Sequence, residues 1–270
     1  MPRLKHKRRA VFRETYGPWA LVAGASKGIG AAFAEMLSER GLNLVLIARN
    51  PTDLDAFARS LETRHGIQTQ PLALDLADEA AVPTITEKIG RLEIGLLVYN
   101  AALSPIGPFL SLSPEEHLRI LQANCRTPLL LSHAAADRMR VRRRGGIILM
   151  SSFSGLQGGP WFAAYAASKA YLITLAESLR EELKRDGVHV IAPIAGATGT
   201  PTYWSGLKGH TSGVPVMPPE AVARVALRNL GRRGSVVTGV FNKISAFLLA
   251  RFTGRALRTR LMGRMTKPRL

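Results

Sequence analysis

Short apolar runs alternate with longer amphipathic segments along most of the chain. The runs are almost continuously apolar, which is typical of strands buried on both faces of a parallel sheet. Seven runs predict strands: WALVAGA, NLVLIAR, QTQPLALDL, IGLLVYNAA, GGIILMSS, GVHVIAPI and GSVVTGV. Because helical segments separate them, the pattern predicts an α/β fold with a doubly wound, mostly parallel seven-stranded sheet and helices on both faces.

Two segments depart from this simple alternation. A long helix is predicted over 111–143, opened by a capping box of Ser113 and Glu116 with Pro114 at the first helical position. Residues 195–219 are rich in Gly, Pro and Thr and lie between regular elements. Because irregular segments of this length in a compact domain usually bind a ligand, we expect a substrate loop there.

The net charge of +18 is distributed unevenly. Residues 1–19 contain six bases and one acid, and residues 221–270 contain twelve bases and no acid, whereas the rest is nearly neutral. Basic ends either stay solvated or contact an anionic membrane surface, and the neutral body makes nucleic acid the less favoured partner. The predicted parts are a basic N-terminal extension (1–17), a single α/β domain (18–240) and a basic helical tail (241–270). The tail mixes bulky apolar residues with arginines and has no clean apolar stripe.

Cysteine and histidine usage excludes several classes of site. A single cysteine, Cys125, cannot form an internal disulfide framework. The six histidines are scattered without metal-ligand spacing, so we expect no metal site. The basic N-terminus lacks the apolar run of a signal peptide, and no stretch reaches about 18 uncharged apolar residues. We expect a cytoplasmic protein, with peripheral membrane contact as an alternative.

A glycine-rich turn follows the first predicted strand and opens the first helix. It contains Gly24, Gly28 and Gly30, and Ser26, Lys27 and Ile29 complete it. Glycines allow the backbone to approach a pyrophosphate, whose charge is stabilised by the helix N-terminus. The context of the turn favours a dinucleotide site, although a tight turn without a ligand is the alternative.

Cations replace the acid that would select a free ribose 2′-hydroxyl. The second strand ends at Arg49, and Lys27 lies in the glycine turn. An acid at that strand end would bind the hydroxyl of NAD, whereas cations pair with a 2′-phosphate. We therefore predict NADP(H) as the cofactor, with a solvated Arg49 as the alternative.

Tyr165 and Lys169 lie one helical turn apart, and Ser152 precedes the tyrosine by thirteen residues. A phenol with a pKa of about 10 is a poor acid or base near neutrality, and a nearby ammonium lowers that pKa. The spacing therefore suggests a proton-transfer site. Chance placement on an amphipathic helix is the alternative that these residues alone leave open.

Together these residues resemble the short-chain dehydrogenase/reductase family, which has a Rossmann fold. The resemblance covers about residues 18–200 and rests on a set of dispersed positions: Gly24, Gly28, Gly30, Asp75, Asn100, Asn124, Ser152, Tyr165 and Lys169. Three segments are most similar to the branch that reduces hydroxysteroids and long-chain 3-oxoacyl thioesters: WALVAGASKGIG, LEIGLLVYNAA and GVHVIAPI.

The resemblance implies a role for each matched residue. Ser152 would orient the substrate carbonyl beside Tyr165, and Asn124 would hold a water in a proton relay that reaches Lys169. A buried, satisfied Asn124 and an active Ser151 in place of Ser152 are the alternatives. The implied cofactor contacts are Asn100 with ribose, Asp75 and the Leu76 backbone with adenine, and Thr198 with the carboxamide. Tyr165 and Lys169 also belong to the implied cofactor-binding residues.

Two positions depart from the family pattern. Where the family usually has Asn-Asn-Ala-Gly, this chain has Tyr99-Asn100-Ala101-Ala102. Where the family usually has Pro-Gly, this chain has Pro193-Ile194. We expect these side chains to reshape the nicotinamide pocket. They also leave open a non-catalytic dinucleotide sensor or scaffold whose basic tails bind membrane or nucleic acid.

Aromatic residues near the predicted site indicate the substrate. Tyr203, Trp204 and Leu207 lie in the substrate loop, and Trp161 and Phe162 precede the tyrosine. Apolar surroundings favour a hydrophobic carbonyl or alcohol, such as a steroid or fatty-acyl compound, although ordinary packing is the alternative. The resemblance further implies a homodimer or homotetramer.

Overall fold

The computed structural model describes residues 2–207 and 213–267, with the side chains of 9–205, 213–264, 266 and 267. Its strands are β1 (Trp19–Ala23), β2 (Asn43–Ala48), β3 (Thr69–Ala73), β4 (Ile94–Tyr99), β5 (Gly145–Leu149), β6 (Ser151–Ser152), β7 (Val188–Ala195) and β8 (Ser235–Val237). The main order is β3-β2-β1-β4-β5-β7, with β8 on the far side of β7, and all these neighbours pair in parallel.

The fifth predicted strand is interrupted. β5 and β6 both pair with β7 in parallel, and Met150 separates them. β5 and β6 lie end to end along the same side of β7, so they count as one position in the sheet. The eight described strands therefore occupy seven positions. This confirms the predicted seven-stranded fold.

The helices that flank or extend the sheet are α1 (Pro2–Tyr16), α2 (Gly28–Ser38), α3 (Pro51–His65), α4 (Ala81–Ile89), α5 (Pro114–Leu121), α6 (Thr127–Arg142), α7 (Ala163–Leu183), α8 (Pro201–Leu207), α9 (Pro219–Asn229), α10 (Val240–Phe252) and α11 (Arg255–Thr266). The core forms two clusters. Phe33 and Leu37 of α2 pack with Leu227 of α9, and Leu172 of α7 packs with Met139 of α6 in the other cluster. Helices therefore cover both faces of the sheet, as the apolar strands predicted.

The predicted long helix changes geometry at its centre. The capping box is confirmed, because Glu116 N donates to Ser113 Oγ at 3.2 Å and Ser113 N donates to Glu116 Oε2 at 2.7 Å. A π-helical segment, Gln122–Arg126, then separates α5 from α6. The Tyr99 hydroxyl donates to the Ala123 carbonyl within it. Such wider turns expose backbone groups that a regular helix would pair internally.

The predicted substrate loop is partly regular. Thr198 forms a parallel bridge with Met217, and α8 lies between them. Residues 208–212 and the Leu207 side chain lie outside the described part of the chain. The segment therefore begins and ends on the sheet's carboxyl edge, where ligands of doubly wound folds bind.

Both basic ends contact the α/β body. Phe12 and Tyr16 of α1 pack against the core, and the Tyr16 hydroxyl lies 2.7 Å from Nδ1 of His189. At the other end, the Asn242 side chain of α10 lies against Gly196. The boundaries of the extension, the domain and the tail stay predictions. Among the described helices, none is both long and apolar enough to cross a bilayer.

Candidate active site

Lys169 is a buried ammonium beside the phenol of Tyr165. Both residues lie on α7, and Nζ of Lys169 is 5.5 Å from the Tyr165 ring centroid. Lys169 is only 3% exposed, and Nζ donates to the Met150 carbonyl at 2.9 Å. Met150, the residue that separates β5 from β6, is therefore the residue whose carbonyl oxygen accepts the hydrogen bond from Lys169. Because burial disfavours the charged amine, the pKa of Lys169 falls to about 8.

Burial raises the pKa of Tyr165, and the nearby Ser152 side chain opposes that rise without reversing it. The expectation that the pKa of this phenol lies below its ordinary value is therefore wrong for the chain by itself, because the buried phenol loses its hydration. The role of Lys169 in lowering that pKa stays a prediction.

The two neighbouring serines point to different partners. The Ser151 hydroxyl is buried and donates to the Lys169 carbonyl at 2.7 Å. Ser152 Oγ instead accepts from the hydroxyl of Ser154 at 2.8 Å and from its backbone N at 3.3 Å. Of this pair, Ser152 is the one that acts on the pKa of the phenol, whereas the Ser151 hydroxyl is engaged with the Lys169 carbonyl, so the structure favours Ser152 as the group that orients a substrate oxygen.

Asn124 is fully buried in the π-helical segment. Its Oδ1 accepts from Leu103 N at 2.9 Å, and its Nδ2 donates to the Leu103 carbonyl at 2.9 Å and to Ser168 Oγ at 3.0 Å. The amide thus joins the segment after β4 to the catalytic helix α7. A relay water at Asn124 stays a prediction, and Ser168 is a partner that the spacing of the sequence motifs did not indicate.

The glycine turn brings backbone segments into contact where side chains would clash. A Cβ on Gly30 would overlap the Gly24 carbonyl oxygen and lie 2.9 Å from Nδ2 of Asn100. Gly24 has a positive φ of 79° and would place a Cβ 2.8 Å from Ala101 N. Asn100 Nδ2 donates to the Gly24 carbonyl at 3.2 Å, so this predicted cofactor residue also fixes the turn.

The N-terminus of α2 is open for an anion. Its N-cap residue, Lys27, makes no side-chain capping hydrogen bond. Ser26, Gly28 and Ile29 are partly exposed around it. The backbone N–H groups of the first helical turn therefore remain suited to phosphate oxygens, and the residues present fit a dinucleotide pyrophosphate.

The predicted cationic corner also contains acids, and the sequence reasoning did not place one of them, Asp53, there. Lys27 Nζ pairs with Asp53 Oδ2 at 2.7 Å. Arg49 is exposed, and its positive charge contributes to lowering the pKa of Asp75. Arg119 also pairs with Asp75 at 2.7 Å. Arg49 is thus the cation that this corner presents to solvent most freely, while Lys27 shares its charge with Asp53.

The remaining predicted cofactor residues lie along the same carboxyl edge. Asp75 Oδ1 accepts from Ala77 N at 3.0 Å. Burial raises the Asp75 pKa, but this hydrogen bond and the arginines outweigh burial and hold it below its usual range. The Leu76 carbonyl accepts from the Thr127 hydroxyl at 2.8 Å, and Thr198 is buried with its hydroxyl donating to the Gly196 carbonyl at 3.0 Å.

The two departures from the family pattern differ in burial. Tyr99 and Ile194 are buried, whereas Ala102 is exposed. Ile194 pairs with Ser151 across β6 and β7. Reshaping of the nicotinamide pocket therefore stays a prediction, and its strongest structural basis is Ile194, one strand away from the catalytic serine.

Aromatic side chains form a small cavity beside Tyr165. Trp161 and Phe162 line it, as predicted, together with Phe109 and His117, which stack with ring centroids 4.3 Å apart. His117 was missed because its only sequence signal is a lone histidine in an exposed helix. Nδ1 of His117 is buried without a hydrogen-bond partner among the described residues, so this polar atom is available on an otherwise apolar wall.

The last helix also reaches this side of the site. The Trp161 indole donates to the Gly263 carbonyl at 3.0 Å, and the Thr266 hydroxyl donates to the Pro160 carbonyl at 3.3 Å. Trp161 adopts a positive φ of 72°, and its carbonyl accepts from Gly107 N at 2.7 Å. α11, the segment before α7 and the segment after β4 therefore meet at Trp161, and this meeting point is the candidate entrance to the site.

Known proteins are similar to this chain in sequence over most of its length. The chain is 31% identical over 238 residues to a 7beta-hydroxysteroid dehydrogenase of Collinsella aerofaciens, covering 87% of this chain and 90% of that protein. It is 33% identical over 225 residues to a very-long-chain 3-oxoacyl-CoA reductase of Neurospora crassa, covering 81% of this chain and 66% of that protein.

Solved structures agree with these relatives. A 7beta-hydroxysteroid dehydrogenase structure superposes with a TM-score of 0.89 at 29% identity, covering 93% of this chain and 99% of that one. A short-chain dehydrogenase from Sphingobium yanoikuyae in complex with NADPH gives a TM-score of 0.76 at 29% identity, covering 94% and 97%. The family model for short chain dehydrogenase matches residues 18–208. This protein therefore belongs to the short-chain dehydrogenase family.

Proposed function

We propose that the protein is an NADP(H)-dependent oxidoreductase that interconverts a carbonyl and a secondary alcohol on a hydrophobic substrate. The observation that carries this proposal is that Ser152 lies close enough to the Tyr165 phenol to act on its pKa, with the buried ammonium of Lys169 one turn further along α7. A protein that only sensed a dinucleotide would not need a proton donor, an orienting hydroxyl and a buried cation together.

The glycine turn and the cationic corner support the choice of cofactor. NADP(H), when bound, supplies the hydride and leaves proton transfer to the protein. The open N-terminus of α2 would hold its pyrophosphate, and the exposed guanidinium of Arg49 would pair with a 2′-phosphate. Two structural relatives were solved with NADPH, the Sphingobium yanoikuyae enzyme and an L-sorbose reductase from Gluconobacter frateurii.

Tyr165 is placed to donate the proton in the reducing direction. An alkoxide is a stronger base than a phenolate, so transfer from Tyr165 to a newly formed alkoxide is downhill even though burial raises the phenol's pKa. Ser152 would hydrogen-bond the same oxygen and hold it within reach of the phenol. In the oxidising direction Tyr165 must first lose its proton, so alcohol oxidation should be favoured by higher pH.

Lys169 would stabilise the phenolate that remains after proton transfer. Its charge lies 5.5 Å from the ring centroid in a site that excludes water, where a positive charge lowers the energy of a nearby anion more than it would in solvent. The Met150 carbonyl and the Asn124–Ser168 hydrogen bond hold the surrounding backbone in place. Lys169 therefore acts on the chemistry through charge.

The substrate class is inferred from the aromatic residues beside Tyr165 and from the names of the relatives. The cavity there has a volume of about 10 Å³, room for about one water, so the rings would move apart to admit a substrate. Trp161, Phe162 and Phe109 present apolar surface there, and relatives are named for a hydroxysteroid and for very-long-chain 3-oxoacyl-CoA. A steroid or a fatty-acyl ketone would bury its apolar body against these rings and present its carbonyl to Ser152 and Tyr165.

We further propose a homo-oligomer. Leu118 and Leu121 of α5 and Leu129 and Val141 of α6 are exposed, and the small residues at the start of α7 would permit close helix approach. Contact between these helices of two copies would cover apolar surface that a monomer leaves in water.

The test is the NADPH-dependent turnover of a panel of apolar ketones by the wild-type protein and by Tyr165→Phe. We expect wild-type turnover, and a loss of roughly 10²–10⁴-fold in kcat without the phenol. The thermal shift produced by NADPH serves as the control and should be the same for both proteins. Equal turnover by the two proteins would contradict the proposed mechanism.

A further inference from the structure

The helix α10 carries an exposed apolar stripe. Its six large exposed apolar residues are Val240, Phe241, Ile244, Phe247, Leu248 and Phe252. Phe247 is 66% exposed and Phe252 is 72% exposed. Spacings of three and four along the helix set most of them on one side, whereas Asn242 on the other side is buried against Gly196. The sequence analysis did not predict this stripe because Arg251 lies among these apolar residues.

Cations lie within and beside this stripe, and acids are missing from it. Arg251 is exposed within the stripe, Lys243 is exposed elsewhere on α10, and Arg255, Arg260 and Arg264 are exposed on α11. The sequence from 221 to 270 contains no Asp or Glu. A second copy of these helices would bring like charges together with no carboxylate to pair them, whereas an anionic surface complements both the charge and the apolar residues.

The stripe lies on the carboxyl edge of the sheet, as the active site does. Gly196, which receives Asn242, directly follows β7. The next helix, α11, touches the segment before the catalytic helix through Gly263 and Trp161. Trp161 in turn lines the cavity beside Tyr165. The surface formed by α10 and α11 is therefore continuous with the entrance to the site.

We propose that α10 and α11 dock the protein peripherally on an anionic lipid surface. The exposed phenylalanines enter the interfacial region and the arginines contact the lipid headgroups. Docked in this way, the entrance beside Trp161 faces the bilayer, so an apolar substrate can reach it from the lipid. This last step rests on the proposed function, but membrane binding itself does not.

The experiment measures sedimentation of the full-length protein with phosphatidylcholine vesicles that contain or lack phosphatidylglycerol. We expect the wild-type protein to bind the anionic vesicles preferentially. Phe247→Ser combined with Phe252→Ser should weaken that binding about tenfold or more, because two exposed rings no longer leave water. Arg255→Gln combined with Arg260→Gln should weaken it by a similar factor and abolish most of the lipid preference.

Matched controls are Val11→Ser on α1 and Arg59→Gln on α3, which remove an exposed apolar residue and an exposed cation elsewhere. Both should bind vesicles as the wild type does. Turnover of a short soluble ketone, measured without vesicles, should be unchanged in all variants. Normal turnover with no vesicle binding would overturn the docking proposal and leave the proposed function standing.

Two further results would overturn it. If the phenylalanine pair binds vesicles like the wild type and the protein binds duplex DNA equally well, the basic helices act by charge alone. If that pair changes the oligomeric state in sedimentation equilibrium while vesicle binding persists, the stripe is an interface between copies.

Discussion

The glycine turn (24–30) and the polar cluster of Asn124, Ser152, Tyr165 and Lys169 place opposite demands on packing. In the turn, function depends on atoms that are missing, since a Cβ on Gly30 would overlap the Gly24 carbonyl oxygen. In the cluster, function depends on polar atoms that are buried at a cost, as with Lys169 and Asn124. The comparison teaches that adding an atom should break the first region's fold, whereas removing one from the second should abolish chemistry and leave the fold intact.

The largest expected effect is on stability, from Gly30→Ala. The new Cβ forces α2 away from the turn, and we expect the free energy of unfolding to fall by about 3 kcal/mol or more, with loss of NADPH binding. Urea denaturation and fluorescence titration measure the two effects. Gly254→Ala is the control, because its Cβ would meet no atom within 4 Å and its φ is −69°. An unchanged urea midpoint for Gly30→Ala would contradict the packing argument.

The second effect is a pH dependence of stability due to Lys169. Its folded pKa of about 8 lies below the ordinary 10.5 of the unfolded chain, so the unfolded state binds more protons between these values. The burial penalty is fully present below pH 8 and is relieved as pH rises toward 10.5, by up to roughly 3 kcal/mol. Urea denaturation of Lys169→Met should show a flatter rise in stability over that window than the wild type. Parallel profiles for the two proteins would show that the amine is not penalised by burial.

The third effect is on turnover alone, from Ser152→Ala. Loss of the hydroxyl that holds the substrate oxygen should lower kcat about 100-fold, while the melting temperature stays within a few degrees of wild type. Ser151→Ala is the matched control one residue away. It removes the hydrogen bond to the Lys169 carbonyl, so it should lower stability by about 1 kcal/mol and retain most activity. The reverse pattern would make Ser151 the active hydroxyl.

The smallest effect concerns Arg49, the exposed cation predicted to bind the 2′-phosphate of NADP(H). Arg49→Gln should raise KM for NADPH about tenfold and leave KM for NADH nearly unchanged, because only the 2′-phosphate loses its charged partner. Arg59→Gln on α3 is the control with the same charge change. Equal loss with both cofactors would mean that Arg49 does not recognise the 2′-phosphate.

Much of the fold and the cofactor turn could be predicted because their signals are local. Burial on both faces makes each strand continuously apolar, and the Gly24–Gly30 turn is complete within one βα connection. The break at Met150, the π-helical segment around Asn124 and the helix in the 195–219 loop were missed. The first two involve hydrogen bonds to partners distant in the chain, Met150 with Lys169 and Ala123 with Tyr99.

By itself, the sequence determined the α/β class and the seven strand positions, because periodicity is a property of the chain, and its resemblance to the family indicated the candidate residues for the chemistry. The tertiary structure alone decided which serine reaches Tyr165, that Lys27 shares its charge with Asp53, and that α11 lies at the entrance through Trp161. It also decided the protonation behaviour of the site. Burial sets the pKa of Tyr165 and Lys169, and burial exists only once distant segments have packed together.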